Sequence, residues 1–269
     1  MLTKEQNSRF MMILSMAIFG TIGILRRYIP YSSSIVALVR GIIGTMFLLI
    51  VVTVSKKTFD KRAIKDNLLL LVISGAAIGF NWIFLFEAYN YTSVATATLC
   101  YYLAPIIVIL LSPIVLNERL TVKKIACTIA AMIGTVLISG ILDNHSASMN
   151  LESQTKGVIF GLLAALLYAS VILMNKRMKP IPAYDKTILQ LSMASVTLLP
   201  YVAFTENLGE ISFAAVPVLL LVVAGIVHTG VAYTLYFSSM SSLKSHTVAL
   251  LSYIDPILAV VLSMVILKE

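Results

Sequence analysis

Charge is scarce in this chain. Only 12% of its residues are Asp, Glu, Lys or Arg, about half the share of a soluble domain. With 59% hydrophobic residues and a mean hydropathy of +0.96, that shortage excludes a water-soluble globular fold. Cysteine is also scarce. Cys100 and Cys127 both lie inside apolar runs, so they read as buried thiols and not as a disulfide or metal framework. No G-x-x-x-x-G-K-[ST] loop occurs, which excludes transport driven by the chain's own nucleotide hydrolysis. Neither H-E-x-x-H nor G-x-S-x-G occurs, which leaves no recognisable zinc or serine hydrolase constellation. Nothing in the sequence calls for a cofactor or a metal.

Long apolar stretches are what the chain does have. Runs of about 20 residues recur along its whole length, each enough for one helix to cross a bilayer. They are too long, and alternate too little, for barrel strands. The reading is an all-α polytopic membrane protein with nine transmembrane helices, at 10–25, 33–54, 67–89, 96–118, 122–142, 157–176, 186–204, 218–240 and 247–269. The first run carries no A-x-A-like cleavage site and reads as a retained helix. The net charge of +8 would suggest nucleic acid in a soluble protein. Here the basic residues separate apolar runs, so a bilayer surface accounts for them and no nucleic acid is expected.

Orientation follows from those basic residues. With the N-terminus in the cytoplasm, Lys4, Arg9, the cluster Lys56, Lys57, Lys61, Arg62 and Lys65, and then Arg119, Lys123, Lys124, Lys176, Arg177, Lys179, Lys186 and Lys244 all fall on the cytoplasmic side. Arg26, Arg27, Lys156 and Lys268 fall opposite. The imbalance favours a cytoplasmic N-terminus in the cell membrane, with Arg26 and Arg27 snorkelling.

One stretch occurs twice. Thr96 to Glu118 reads TATLCYYLAPIIVILLSPIVLNE, and Thr247 to Glu269 reads TVALLSYIDPILAVVLSMVILKE, at a constant offset of 151 residues. Tyr102, Pro105, Ser112, Leu116 and Glu118 match Tyr253, Pro256, Ser263, Leu267 and Glu269. The register holds upstream without a gap, pairing Gly79 with Gly230 and Phe86 with Phe237. Such self-similarity marks a structural duplication, and in a membrane chain it points to a transporter built from repeats. Five helices per repeat turn the second copy upside down, so the repeats are expected to be inverted. The first spans 1–142, a polar linker covers 143–156, and the second spans 157–269. The repeat also predicts a tenth helix after Glu269, which this sequence does not contain.

These features carry a resemblance. The paired proline-containing helices ending in Glu118 and Glu269, the five-plus-five plan and Arg40 early in the second span resemble the ten-helix EamA-like branch of the drug/metabolite transporter superfamily. The resemblance covers essentially the whole chain. It implies a central cavity lined by the first four helices of each repeat, with the fifth helices peripheral. It implies transport of small metabolites, often amino acids or related solutes, commonly as export.

Candidate site residues follow from position. Pro105 and Pro256 lie near mid-helix and leave the carbonyls of Tyr101 and Ser252 without their usual donors, so both are expected to kink their helices. Tyr102 with Tyr253, and Trp82 with Tyr233, are counterparts at the repeat offset. All four lie too deep for interfacial belts, which makes them candidate aromatic walls for a ring or a cation; ordinary core packing is the alternative. Arg40, Glu87 and Asp255 are charges at or inside apolar spans. Asp255, about 15 Å along its helix, is the candidate solute- or proton-binding carboxylate. Its structural alternative is a pairing with Arg40 or with a backbone group that locks the ninth helix. Glu87 reads as interfacial, His228 as a hydrogen-bonded packing histidine, and Glu118 and Glu269 as structural. Gly75-x-x-x-Gly79 and Gly157-x-x-x-Gly161 permit close helix approach, and with it a homodimer.

The function expected from the sequence is a secondary transporter, an exporter of a small organic metabolite such as an amino acid or amine, working by alternating access and coupled to protons. The competing class is a membrane-embedded enzyme acting on a lipid or polyprenyl substrate.

Overall fold

The computed structural model describes residues 4–92, 94–118, 120–138, 151–207, 214–240, 242–262 and 265–266. Among these residues every regular element is helical, as lipid requires of a chain whose backbone groups find no water. In order they are α1 (Lys4–Arg27), α2 (Ser33–Val54), α3 (Lys61–Tyr91), α4 (Val94–Tyr101), α5 (Ala104–Leu116), α6 (Val122–Ile138), α7 (Leu151–Arg177), α8 (Ala183–Thr205), α9 (Ala215–Val223), a π-helical stretch (Ala224–Val231), α10 (Ala232–Met240), α11 (Ser245–Leu251) and α12 (Ile254–Leu262). Seven spans among the described residues are long and apolar enough to cross a membrane. The chain is therefore a polytopic all-α membrane protein. The other two expected spans run on into residues outside the described ones: α6 is described for 17 residues, to Ile138, and the α11–α12 pair to Leu262, with 265–266 beyond it. Ser263, Leu267, Lys268 and Glu269 lie outside the described residues, as do Arg119 and positions 139–150.

Local chemistry moves several boundaries. α3 begins at Lys61 because the Asp60 carboxylate accepts the Ala63 N–H at 2.9 Å and caps the helix. Lys61, Arg62 and Lys65, read from the sequence as loop, thus lie in its first turns. α7 starts at Leu151, inside the expected linker. Glu152 stands in its first turn, where the helix dipole favours a carboxylate, and pairs with Lys156 at 2.8 Å. The two proline-containing helices are interrupted outright. α4 stops at Tyr101 and α5 starts at Ala104; α11 stops at Leu251 and α12 starts at Ile254. At each break the ladder tightens to bonds across three residues, Leu103 N–H to the Cys100 carbonyl and Tyr253 N–H to the Leu250 carbonyl, both 3.2 Å. Pro113 and Pro200, by contrast, sit inside continuous helices.

Packing joins the two halves throughout. α3 lies against α7 and α8, α2 against α8 and the π-helical stretch, α1 against α10 and α12, and α7 also against α4 and α5. Shifted by 151 residues, these pairings map onto one another: α3 on α7 corresponds to α10 on α1, and α3 on α8 to the π-helical stretch on α2. Two hydrogen bonds join residues to their own counterparts. The Trp82 indole N–H donates to the Tyr233 hydroxyl at 3.2 Å, and the Tyr253 hydroxyl donates to the Tyr102 carbonyl at 3.3 Å.

The glycine motifs are used within this packing. A Cβ on Gly75 would stand 2.6 Å from Met193 Cβ and 2.8 Å from the Gln190 carbonyl, and one on Gly79 2.9 Å from the Ala194 carbonyl. Gly157 and Gly161 meet Thr92 and Cys100 in the same way, at 2.6 and 2.8 Å. Both motifs therefore seat helices of the same chain, so neither offers the homodimer contact that the sequence pattern permitted. A hydrogen bond from the Gln190 amide to the Ser74 hydroxyl ties the same α3–α8 seam.

Gly75→Leu is therefore expected to destabilise the protein by roughly 1–3 kcal/mol through overpacking. Thermal unfolding in detergent measures this, with lipid-facing Leu69→Ala, at a residue 72% exposed, as the neutral control. Equal melting temperatures for the two variants would show that α3 and α8 are not in close contact.

Candidate functional site

The interrupted helices meet at a cavity of about 200 Å³. α1 contributes Phe19 and Ile22, α2 contributes Arg40, and α3 contributes Trp82, Leu85 and Phe86. Tyr101 and Tyr102 come from the α4–α5 break, Tyr168 from α7, Tyr233 and Tyr236 from α10, and Asp255 from the start of α12. The proline breaks explain how Tyr102 and Asp255 arrive there. A continuous helix would fill this depth with its own hydrogen-bonded backbone; the lapse before Pro105 and Pro256 opens polar positions in the middle of the bundle.

Arg40 is 7% exposed. Its guanidinium carbon stands 4.3 Å from the Trp82 ring centroid, a cation–π contact. It also lies within hydrogen-bonding reach of Tyr233, while its buried Nε has no hydrogen-bond partner. Asp255 lies within hydrogen-bonding reach of Tyr102. Arg40 and Asp255 line the same cavity, yet no ion pair joins them among the described residues. Of the structural alternatives for Asp255, the ion pair with Arg40 is not the arrangement observed.

The walls are aromatic. Trp82 and Tyr233 meet edge to face at 6.1 Å, and Phe19 meets Tyr233 at 5.1 Å. Tyr101 stacks on Tyr168 at 5.3 Å, and the hydroxyls of Tyr168 and Tyr236 are 2.9 Å apart. Of the four aromatic residues singled out in the sequence, Trp82, Tyr102 and Tyr233 line the cavity. Tyr253, 2% exposed, stands behind it and holds the Tyr102 carbonyl. Phe19, Tyr101, Tyr168 and Tyr236 were not foreseen. A signal for Tyr236 exists: Tyr233, Tyr236 and Phe237 repeat the helical spacing of Trp82, Leu85 and Phe86.

The cavity adjoins a vestibule. A second pocket of about 200 Å³ shares Arg26 and Phe86 with it and is lined further by Ser32, Ser33, Ser34, Glu87, Tyr201 and Glu206. The Tyr201 hydroxyl donates to Glu87 at 2.7 Å, and the Ser34 hydroxyl donates to Glu206. Glu87 is thus a bonded wall of this vestibule. Arg26 does not snorkel: it donates to the carbonyls of Ile29 at 2.5 Å and Tyr31 at 2.8 Å and fastens the α1–α2 connection. At the opposite end Met12, Met16, Tyr236, Phe237 and Met240 are buried together. His228 packs as a bonded histidine, its Nε2 2.9 Å from the Thr21 hydroxyl. That hydroxyl is also 2.7 Å from the Ile18 carbonyl. Glu118 accepts the Ser245 N–H at 3.1 Å and its hydroxyl at 2.9 Å, capping α11.

Comparison with known proteins agrees with this architecture. A sequence model of the EamA-like transporter family matches residues 7–140 and, a second time, 155–269. An uncharacterized transporter of Bacillus subtilis, YxxF, is 33% identical over 256 residues, which cover 94% of this chain and 80% of that protein. Protein PecM of Dickeya dadantii is 26% identical over 208 residues, 74% of this chain and 66% of its own. A solved crystal structure shares the fold with a TM-score of 0.82, at 17% identity, over 97% of this chain and 89% of that one. Matched twice by the family's sequence model and aligned over nearly its full length with a one-third-identical relative, the chain belongs to the EamA-like transporter family.

Proposed function

We propose that this membrane transporter carries a small organic metabolite with an amine, an amino acid above all, outward across the cytoplasmic membrane by alternating access. The observation that carries this reading is the unpaired placement of Arg40 and Asp255 in one aromatic-walled cavity. A buried charge without a counter-ion is costly, and a solute carrying the opposite charge offsets that cost. The guanidinium suits a carboxylate, which it can meet through paired N–H donors. Asp255 and the surrounding rings suit an ammonium group. Asp255 is also the proton-coupling group in this reading, taking up a proton as the amine leaves. The alternative of an enzyme acting on a lipid or polyprenyl substrate has the family membership against it.

The architecture proposed with this function is two inverted repeats, 1–142 and 157–269, joined by 143–156, with nine membrane-spanning segments. The corresponding packing partners and the two bonds between counterpart residues support a two-fold axis passing near Trp82 and Tyr102. The basic side, which carries Lys57 and Lys179, is the cytoplasmic one, and the vestibule faces out.

Two outcomes are expected. In proteoliposomes loaded with labelled amino acids, Asp255→Asn keeps the parental melting temperature but loses the pH dependence of exchange. Arg40→Gln weakens amino acids roughly tenfold through loss of a charge-assisted contact and spares the matching amines. A well-folded Asp255→Asn protein with parental pH dependence would end the coupling claim. Topology is read by labelling single cysteines with an impermeant reagent in a background lacking Cys100 and Cys127. Lys57→Cys should react only from the cytoplasmic face and Asn207→Cys only from outside; the reverse pattern would invert the assignment.

A further inference from the structure

The end of the cavity opposite the vestibule is closed by contacts of an unusual kind. α10 finishes there, and its last carbonyls have no partners within the helix. Two lysines take them. Lys186, in the first turn of α8, donates from Nζ to the Phe237 carbonyl at 3.1 Å and lies 5.3 Å from the Phe237 ring centroid. Lys176, in the last turn of α7, donates to the Met240 carbonyl at 2.7 Å. Lys186 is only 4% exposed, and no carboxylate pairs with either lysine among the described residues. Closure alone would need only apolar packing, which buries no ammonium group. Carbonyls at a helix C-terminus hold cations well, yet less firmly than a carboxylate does. The contact is strong enough to close and weak enough to release.

A second partner waits beside it. Glu118 spends Oε1 on the α11 cap, while its Oε2 is buried without a hydrogen-bond partner. That carboxylate is near enough to Lys176 to act on it electrostatically. Among the described residues no lysine caps the corresponding end of α3. The counterparts of Lys186 and Lys176 at the repeat offset are Ile35 and Leu25. Phe86, the counterpart of Phe237, lines both pockets, whereas Phe237 is buried.

We infer that Lys186 and Lys176 are the inner gate of the transport cycle. Their bonds to the C-terminus of α10 hold the cavity shut on the basic side. That side opens when those bonds break and Lys176 passes to the free oxygen of Glu118. The inference rests on the alternating-access reading above, and its test needs no knowledge of the solute.

The reporter is Phe19→Cys, in the cavity wall, in a chain carrying Cys100→Ser and Cys127→Ser. An impermeant thiol reagent is added to the vestibule side or to the lysine side of oriented membrane vesicles. The parent should label from the vestibule side. Lys186→Met and Lys176→Met should raise labelling from the lysine side relative to the vestibule side roughly tenfold, the effect of losing one charge-assisted bond present only in the closed form. Lys176→Arg, which keeps donor and charge, should restore the parental ratio. Unchanged ratios in Met variants that keep the parental melting temperature would overturn the gate. Should the Met variants fail to fold, Glu118→Gln decides, since it keeps an acceptor for the α11 cap and removes the charge. Labelling from the lysine side should then fall, and an unchanged ratio would overturn the gate. If amino acids are not transported but the ratios shift, the substrate reading fails and the gate stands. If transport proceeds and the ratios do not move, the gate alone fails.

Discussion

A peptide carbonyl in lipid has no water to turn to, so one that loses its donor must be answered from inside the protein. Pro105 and Pro256 withdraw two such donors at mid-depth, and much of the molecule is arranged around that withdrawal. The helices before them stop, the chain tightens for a turn, and new helices start from Ala104 and Ile254. Tyr102 and Asp255 are delivered to the centre of the bundle by those turns, and the Tyr102 carbonyl is itself answered by Tyr253. The cavity exists because the helices around the breaks cannot close over them without burying unanswered polar groups.

The class of fold was legible because it rests on quantities that survive without a structure: scarcity of charge, length of apolar runs and the ungapped repeat. The seam positions were legible for the same reason, since Gly75 and Gly79 stand four apart on one face of α3. What could not be read was direction. Tyr168 sits in an ordinary apolar helix whose sequence has no counterpart aromatic, and only its facing toward α10 makes it a wall. Arg26 looked like a residue reaching for headgroups, because its carbonyl partners in the α1–α2 connection are a matter of loop path. The π-helical stretch from Ala224 to Val231 left no mark in composition. The early start of α3 was set by a single carboxylate just before its first turn, too local to register against a long apolar run.

Shape and charge obey different symmetries here. The packing partners correspond across the two halves, but the charges of the cavity and of its closed end do not. Asp255 corresponds to Ala104, Arg40 to Leu191 and Lys186 to Ile35. A scaffold of equal halves gives two conformations of similar energy, and single charges make them unequal. In the proposed alternating-access cycle the backbone supplies two states, and a few side chains decide which end each state opens.

The bonds between counterpart residues have a separate consequence. In an exchange of conformations between the proposed repeats, a contact between one residue and an unrelated residue is broken at one end and remade elsewhere. A pair made of a residue and its own counterpart is carried onto itself, its donor and acceptor sides changing places. Trp82 with Tyr233, and Tyr102 with Tyr253, therefore belong to the fulcrum of such a motion. In that proposed motion both pairs stay near the axis, and a solute bound against Trp82 as proposed leans on the part of the protein that moves least.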